Sequence, residues 1–145
     1  MANHLVILKK PYLDAILAGR KKNESRFTKS RQYACGRVSA GDKLFLKESS
    51  GPVCATAMVK AVRKFDNLTP EQIIGIKERY NHHILGSEEY WQSKNDSRFG
   101  FLVWLDDVKS TEPVRINKKD WRAWVVLTEK ENFGLLKPDT MKEAL

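Results

Sequence analysis

Residues 19–26 read Gly19-Arg20-Lys21-Lys22-Asn23-Glu24-Ser25-Arg26, which is the pattern G-x-K-x-x-E-x-R. The glycine allows the chain to leave a preceding helix in a left-handed conformation. If the following residues are extended, a period of two places Glu24 and Arg26 on one face of a strand, beside Lys21. Such a group of an ammonium, a carboxylate and a guanidinium can bind a phosphate or the edge of a base. The alternative is a surface ion network in which Glu24 and Arg26 pair with each other or with neighbouring lysines.

The residues before this segment predict a strand and a short helix. Residues 5–8 form a short apolar run that favours a strand. Pro11 and Gly19 then frame residues 12–18, with proline at the helix start and glycine just past its end.

The residues after the segment predict further strands and two more helices. In chain order these are strands at 43–47 and 53–65, a helix from about Pro70 to Tyr80 that starts with a capping box, a short helix after Ser87, and strands at 99–105, 108–116 and 123–127. Pro113 marks the strand at 108–116 as an edge strand, because proline cannot donate to a ladder. We therefore predict an α+β fold, built on a small β-barrel or strongly curled sheet of five or six strands with helices packed over its openings.

The composition indicates one basic globular domain. The chain has 145 residues, and its 26 Lys and Arg exceed its 18 Asp and Glu by eight. This excess favours a partner that carries phosphates, although solvated lysine-rich faces are the ordinary alternative. We expect residues 1–130 to form the domain and residues 131–145 to form a C-terminal tail.

The cysteines and the hydropathy pattern bear on location. Cys35 and Cys54 are too few for a disulfide scaffold and lack the paired spacing of a zinc site, which favours a reducing cytoplasm. No signal-peptide pattern and no long apolar run is present, so we expect no membrane association. We expect neither a metal nor a cofactor, and a monomer or weak dimer.

Several further stretches match one known family in the right order. They are His4-Leu5-Val6-Ile7-Leu8-Lys9-Lys10-Pro11-Tyr12, Ala40-Gly41-Asp42-Lys43-Leu44-Phe45-Leu46, Val53-Cys54-Ala55-Thr56-Ala57 and the closing run Arg122-Ala123-Trp124-Val125-Val126-Leu127. Together with G-x-K-x-x-E-x-R they resemble the ASCH domain of the PUA-like superfamily over residues 4–65, and over 4–127 when the closing run is included.

The resemblance implies a PUA-like β-barrel with a cleft between barrel and helix, which G-x-K-x-x-E-x-R lines in the family. Some members bind nucleic acid, one type cuts RNA, and a small bacterial type hydrolyses the acetyl amide of N4-acetylcytidine with a lysine, a threonine and a glutamate. Lys21 matches that lysine, but Glu24 stands at the threonine position. No acidic residue between Leu68 and Glu89 can be assigned as the glutamate, which argues against the amidase activity.

The candidate nucleic-acid-binding residues are Lys21, Glu24, Arg26, Tyr12, Arg31, Arg37, Lys118 and Lys119. Tyr12 can stack a base at the cleft rim or pack on the barrel with its hydroxyl in water. The other basic residues outside the motif can contact phosphates, and their alternatives are a solvated loop for Arg31 and Arg37 and a plain turn for the Lys118 cluster.

The remaining aromatic and histidine residues give weaker signals. We expect His82 and His83 in a surface loop, since adjacent histidines point apart and no other ligand lies at metal-binding spacing. Tyr90 and Trp91 either form an aromatic wall over the cleft or pack a short helix on the barrel. Three tryptophans are expected to be in the core or half-buried: Trp104, Trp121 and Trp124.

Three classes of function follow. The first is a nucleic-acid-binding module, RNA in particular, that takes a single-stranded or flipped base into the cleft. The second is a hydrolase for RNA phosphodiesters or for an acyl amide on a modified nucleoside, with Lys21 as base or charge stabiliser and Glu24 as acid or base. The third is a protein-interaction domain, which would show no salt-dependent retention on heparin or RNA.

Overall fold

The computed structural model describes residues 1–31 and 36–136. Cys35, one of the two cysteines discussed above, lies outside these ranges. The elements in chain order are β1 (Asn3–Leu8), α1 (Lys10–Leu17), β2 (Asn23–Thr28), β3 (Lys43–Glu48), β4 (Val53–Phe65), α2 (Pro70–Ile84), α3 (Glu88–Lys94), β5 (Phe99–Val114) and β6 (Trp124–Leu127).

The six strands form one curled sheet in the order β2-β5-β4-β3-β1-β6. β1 and β3 are parallel, and every other neighbouring pair is antiparallel. The predicted α+β half-barrel with helices packed on it is therefore confirmed. Its two edge strands are β2 and β6, and the seam between them is where the barrel does not close.

Three apolar clusters hold this sheet. The largest contains Val6, Leu44, Leu46, Ala57 and Val103, and it packs α1 against the sheet through Leu13 and Ile16. The second lies under α2 and α3 and contains Ile73, Ile76, Ile84, Trp91, Phe27 and Leu102. On the third, around Leu5 and Val125, pack Phe133, Leu135 and Leu136, which follow β6.

The strands predicted at 99–105 and 108–116 are one continuous strand, β5. Register shifts against β4 and a left-handed Asp107 (φ 49°) bend it where the prediction placed a break. β2 pairs only with Phe99 to Trp104, so Pro113 lies beyond the part of β5 that has partners on both sides. The missing amide of the proline therefore removes no bond to β2.

Helix α2 begins at its capping box, as predicted, but continues to Ile84. His82 and His83 consequently lie in its last turn, where basic residues suit the negative end of the helix dipole, and the expectation of a loop is wrong. The helix ends at Leu85, which adopts a left-handed conformation (φ 58°).

Trp121 is 98% exposed, so the prediction of a core or half-buried position is wrong for this residue. It lies in the segment between β5 and β6, outside any strand, so the apolar neighbours that bury a strand residue are missing. Trp104 and Trp124 are half-buried, as expected. Within residues 1–31 and 36–136, no helix combines the length and the apolar character needed to cross a membrane.

Candidate nucleic-acid interface

A cleft of about 960 Å³ lies at the open seam of the half-barrel. Its walls come from residues 24–28 of β2 on one side and residues 122–126 around β6 on the other. The end of β1 and helix α3 complete it. A volume of this size is within the usual range for small-molecule sites.

The turn after α1 sets the start of β2. Gly19 has a φ of 78°, a left-handed conformation that residues with a side chain rarely adopt. The amides of Arg20 and Lys21 both donate to the carbonyl of Ala15, each at 3.0 Å, so the chain folds back over the end of the helix. Local sequence therefore brings Lys21 directly ahead of β2.

Lys21 is buried and does not line the cleft; it connects the turn after α1 to the end of α2. It is 3% exposed, and its ammonium donates a short hydrogen bond to the carbonyl of Ile84, the last residue of α2. The amide of Lys22 donates to the preceding carbonyl of that helix, His83, at 3.0 Å. Carbonyls at a helix C-terminus lack partners within the helix and carry its negative charge, so the Lys21-Lys22 segment caps α2.

Electrostatics around Lys21 favour a role behind the cleft. Burial lowers the pKa of its ammonium, against the opposing attraction of Glu24, and the nearby Arg26 lowers it further. Its Nζ lies 3.6 Å from Oε1 of Glu24 and 5.0 Å from the centre of the Tyr12 ring. The ammonium of Lys21 thus compensates the negative charge of Glu24 from the side away from the cleft.

Glu24 brings a carboxylate to the floor of the cleft. Its residue is 7% exposed and lines the cleft, with Oε2 3.4 Å from Nη2 of Arg26. The amide of Ser25 donates to Oε1 at 3.2 Å. Lys21, Glu24 and Arg26 therefore contact one another, with Glu24 between the two cations, but only Glu24 and Arg26 line the cleft, whereas all three were expected to form its floor.

Arg26 joins the two sides of the seam. From β2 its guanidinium donates to the carbonyl of Ile7 at 3.0 Å and to the carbonyl of Ala123 at 3.4 Å. It also lies 5.4 Å from the centre of the Trp124 ring, a cation–π arrangement. One side chain therefore spans the gap that no strand pairing closes.

Three aromatic rings stand around this floor. Tyr12, Tyr90 and Trp124 all line the cleft, and Tyr12 meets Tyr90 edge to face with ring centres 6.4 Å apart. The hydroxyls of Tyr90 and Ser25 are 2.7 Å apart. Burial raises the pKa of Tyr90, so its hydroxyl stays protonated and can donate a hydrogen bond.

The cleft carries an excess of positive charge, because four basic residues line it against two acidic ones: Lys9, Arg26, Lys94 and Arg122 against Glu24 and Glu89. Lys9 and Lys94 line it, and neither forms an ion pair with another residue that the structure describes. The pKa of Lys94 is lowered, first by burial and then by the like charges of Arg26 and Lys9. Crowded cations of this kind are stabilised by an incoming anion.

Lys9 and Lys94 were not among the predicted site residues. No spacing rule connects them, because one follows β1 and the other ends α3. An aromatic wall over the cleft was one of the two roles predicted for Tyr90, and Tyr90 lines the cleft. Trp124 was expected in or near the core, and its half-buried ring also forms the wall opposite β2.

The other predicted basic residues lie outside the cleft. Arg31 pairs with Asp66 at 3.1 Å and covers the ring of Phe99. Arg37 and the exposed Lys119 do not line the cleft either. Lys118 binds Asp120 at 3.0 Å. These residues are positioned to contact only a ligand that extends beyond the cleft.

A buried hydrogen-bonded chain supports the wall at Trp124. The indole Nε1 of Trp124 donates to Nδ1 of His4 at 3.0 Å, and Nε2 of His4 lies 2.8 Å from Oδ2 of Asp42. Because an indole nitrogen can only donate, Nδ1 must be the acceptor, so the neutral ring carries its proton on Nε2 and donates it to Asp42. The ring orientation of Trp124 thus depends on neutral His4.

Protonation of His4 should reduce stability at mildly acidic pH. Burial lowers the pKa of His4 in the folded protein, despite the opposing effect of Asp42, so the unfolded chain takes up this proton first as the pH falls. We expect the free energy of unfolding to fall below about pH 6.5, with a slope of up to about 1.4 kcal/mol per pH unit from this group. Urea denaturation at several pH values between about 7.5 and 5.5 measures the free energy of unfolding and its slope with pH.

The matched variant for this prediction is His4→Asn, which keeps an acceptor near Trp124 but does not titrate. It should be less stable at pH 7.5 and show a flatter pH dependence than the unmodified protein. Both proteins retain His82 and His83, so their contribution cancels in the difference. Equal slopes for the two proteins would contradict a neutral, buried His4.

Within the described part of the chain, no group of three or more His, Cys, Asp or Glu side chains is placed to hold a metal ion.

Comparison with known proteins gives a fold match. No protein-family model and no curated protein sequence matches this chain. Among solved structures, the chain is similar to ASCH from Zymomonas mobilis, with 15% identity over 89% of this chain and 90% of that one, and a TM-score of 0.68. A serine-to-alanine variant of that protein matches with 16% identity, 98% and 94% coverage and a TM-score of 0.69. A tyrosine-to-phenylalanine variant matches with 15% identity, 98% and 96% coverage and a TM-score of 0.68.

Proposed function

We propose that this half-barrel of the ASCH type binds single-stranded RNA and holds one unpaired base in the cleft at its open seam. The observation that carries the proposal is the joint presence in one cleft of aromatic walls, a carboxylate–guanidinium floor and two lysines that pair with no acidic side chain of residues 1–31 and 36–136. Each of these elements matches one part of a nucleotide.

The aromatic walls suit the face of a base. Single-stranded recognition commonly stacks an unpaired base on aromatic rings, and such rings accept any base because every base has a flat π face. Tyr12, Tyr90 and Trp124 surround the floor at Glu24 and Arg26. A base inserted among them would present its edge to that floor.

The floor suits the polar edge of a base. A carboxylate accepts hydrogen bonds from amino groups of a base, whereas a guanidinium donates to ring nitrogens and carbonyl oxygens. Glu24 and Arg26 offer both kinds of group side by side. Lys21 supports Glu24 from behind, which keeps a nearly buried carboxylate compensated when water leaves the cleft.

The rim suits the phosphates. Lys9 and Lys94 line the cleft, the charge of Lys94 is crowded by Arg26 and Lys9, and phosphate oxygens would relieve that repulsion. In the part of the chain that the structure describes, α1 and α2 pack on the sheet and α3 forms a wall of the cleft, so none of these three helices is placed for a major groove. A cleft of this kind suits a splayed single strand better than a duplex.

Lys94→Ala should weaken binding of a labelled single-stranded RNA and lower its salt dependence. Loss of one phosphate contact is expected to reduce the slope of log K against log salt by about 0.7. Fluorescence anisotropy at roughly 25–200 mM salt, where phosphate contacts contribute strongly to affinity, gives both the RNA affinity and its salt dependence. Lys64→Ala removes the same charge from an exposed position on β4 that does not line the cleft, and it should leave the slope unchanged. Equal effects of the two variants would argue against phosphate binding at the cleft.

A hydrolytic activity of the same cleft is the second candidate. It is favoured by the paired hydroxyls of Ser25 and Tyr90 beside the carboxylate of Glu24, a set able to move protons at a bound substrate. Lys21 is not placed to act as a base on a substrate, because its ammonium is buried and bound to the end of α2. Incubation with labelled RNA and with N4-acetylcytidine tests this candidate, and substrates left intact would exclude it.

A further inference from the structure

Trp121 is exposed and immediately precedes the residues 122–126 that line one side of the cleft. Its side chain is 98% exposed, whereas Trp91 is buried and Trp104 and Trp124 are half-buried. Aromatic rings usually bury about 150–250 Å² on folding, so a ring left in water gives up that stabilisation. A tryptophan held in water is also an open surface on which another flat ring can stack.

Charged neighbours hold the segment around Trp121 in place. The carboxylate of Asp120 accepts from the amide of Arg122 at 3.0 Å and from its guanidinium at 3.1 and 2.8 Å. Lys118 binds the same carboxylate, and Arg122 also binds Glu131 at 2.8 Å. The residues on both sides of Trp121 are thus bound to each other, which leaves the ring directed away from the protein.

This position is close to the proposed base site. Arg122, Ala123 and Trp124 line the cleft, and Trp121 immediately precedes them. Since a residue spans at most about 3.6 Å, the Cα atoms of Trp121 and Trp124 are no more than about 11 Å apart. A stacked strand advances about 3.4 Å per nucleotide, so Trp121 lies one to three nucleotides from the cleft.

The charge of the segment fits a phosphate chain. Residues 115–122 contain Arg115, Lys118, Lys119 and Arg122 against the single acidic residue Asp120. Lys119 is exposed and forms no ion pair with another described residue. An exposed ring among cations is the combination that single-stranded nucleic acids bind, with stacking for the base and charge for the backbone.

We propose that Trp121 is a second stacking site, outside the cleft, for a nucleotide one to three positions along the strand from the one whose base the cleft holds. This inference rests on the proposed function and specifies its ligand as a single-stranded oligonucleotide instead of a free nucleoside or mononucleotide. The chain then passes from the cleft over Arg122 to Trp121, with Lys119 beside it.

The test compares an eight-nucleotide single-stranded RNA of mixed sequence with a mononucleotide, using Trp121→Ala and Trp121→Phe. Loss of base stacking costs about 1–3 kcal/mol, so Trp121→Ala should bind the oligonucleotide roughly 5- to 150-fold more weakly. Trp121→Phe should keep most of the affinity. Neither variant should change mononucleotide binding, and because the side chain is exposed, both should unfold at the same temperature as the unmodified protein.

Fluorescence gives a second readout. The emission of Trp121, obtained as the difference between the unmodified protein and Trp121→Phe, should be quenched by the oligonucleotide and not by the mononucleotide. If Trp121→Ala binds the oligonucleotide as tightly as the unmodified protein while Lys94→Ala binds it less tightly, the second site is wrong and the cleft site stands. If the unmodified protein does not bind the oligonucleotide even at low salt, the proposed function itself fails, and a protein partner for Trp121 becomes the better explanation of its exposure.

Discussion

Arg26→Ala should lower the free energy of unfolding by about 2–3 kcal/mol and weaken RNA binding at least about tenfold, because one side chain performs both tasks. Its guanidinium donates to the carbonyls of Ile7 and Ala123 and to the carboxylate of Glu24. Hydrogen bonds from a charged donor contribute more than neutral ones, and here they replace strand pairing across the seam. Urea denaturation and fluorescence anisotropy measure the two effects.

Two control variants separate the tasks of Arg26. Arg26→Lys keeps the positive charge but cannot reach both carbonyls with a planar fork, so it should restore part of the binding and little of the stability. Arg63→Ala removes an exposed arginine whose guanidinium binds the hydroxyl of Tyr80 and lies over the ring of Phe65, and it should cost less than about 1 kcal/mol. If Arg26→Ala loses stability but binds RNA normally, Arg26 serves only to close the seam.

Lys21→Met should destabilise the fold by about 3 kcal/mol, the range observed when one partner of a buried ion pair is removed. The substitution leaves the carbonyl of Ile84 without its ammonium donor and leaves Glu24 with Arg26 as its remaining cation. RNA binding should weaken only through displacement of Glu24, since Lys21 does not line the cleft. Denaturant unfolding of the variant checks the larger effect.

A double-mutant cycle with Glu24→Gln tests the same contact. The double variant Lys21→Met with Glu24→Gln should be more stable than the sum of the single losses predicts, by roughly 1 kcal/mol, because the second change removes the charge that the first left poorly compensated. The contradicting result would be that Lys21→Met keeps the stability of the unmodified protein but no longer binds RNA. That outcome would place the ammonium on the ligand and contradict its buried position.

The local pattern predicted part of the site well. Glu24 and Arg26 were expected on one face of a strand because extended backbone alternates with a period of two, and β2 shows this arrangement. The helix frame at Pro11 and Gly19 and the capping box at Thr69 were also correct. Each of these features depends on residues within a few positions of one another.

Features that depend on distant residues could not be predicted in this way. Ile84 accepts from Lys21 across 63 positions and Ala123 accepts from Arg26 across 97. Trp121 was expected in the core or half-buried, and it is exposed because it lies outside any strand, beside residues held at the surface by ion pairs.

The sequence by itself determined the order of strands and helices except for the continuity of β5, the turn at Gly19 and the shared face of Glu24 and Arg26, because backbone preferences and side-chain period act over short distances. Only the tertiary structure decided that β2 and β6 are unpaired edges facing each other, that Lys21 is buried behind the cleft, and that Lys9 and Lys94 meet at its rim. The physical reason is that strand pairing and packing join residues far apart in the chain, and the position of a charge relative to a cleft follows from that pairing.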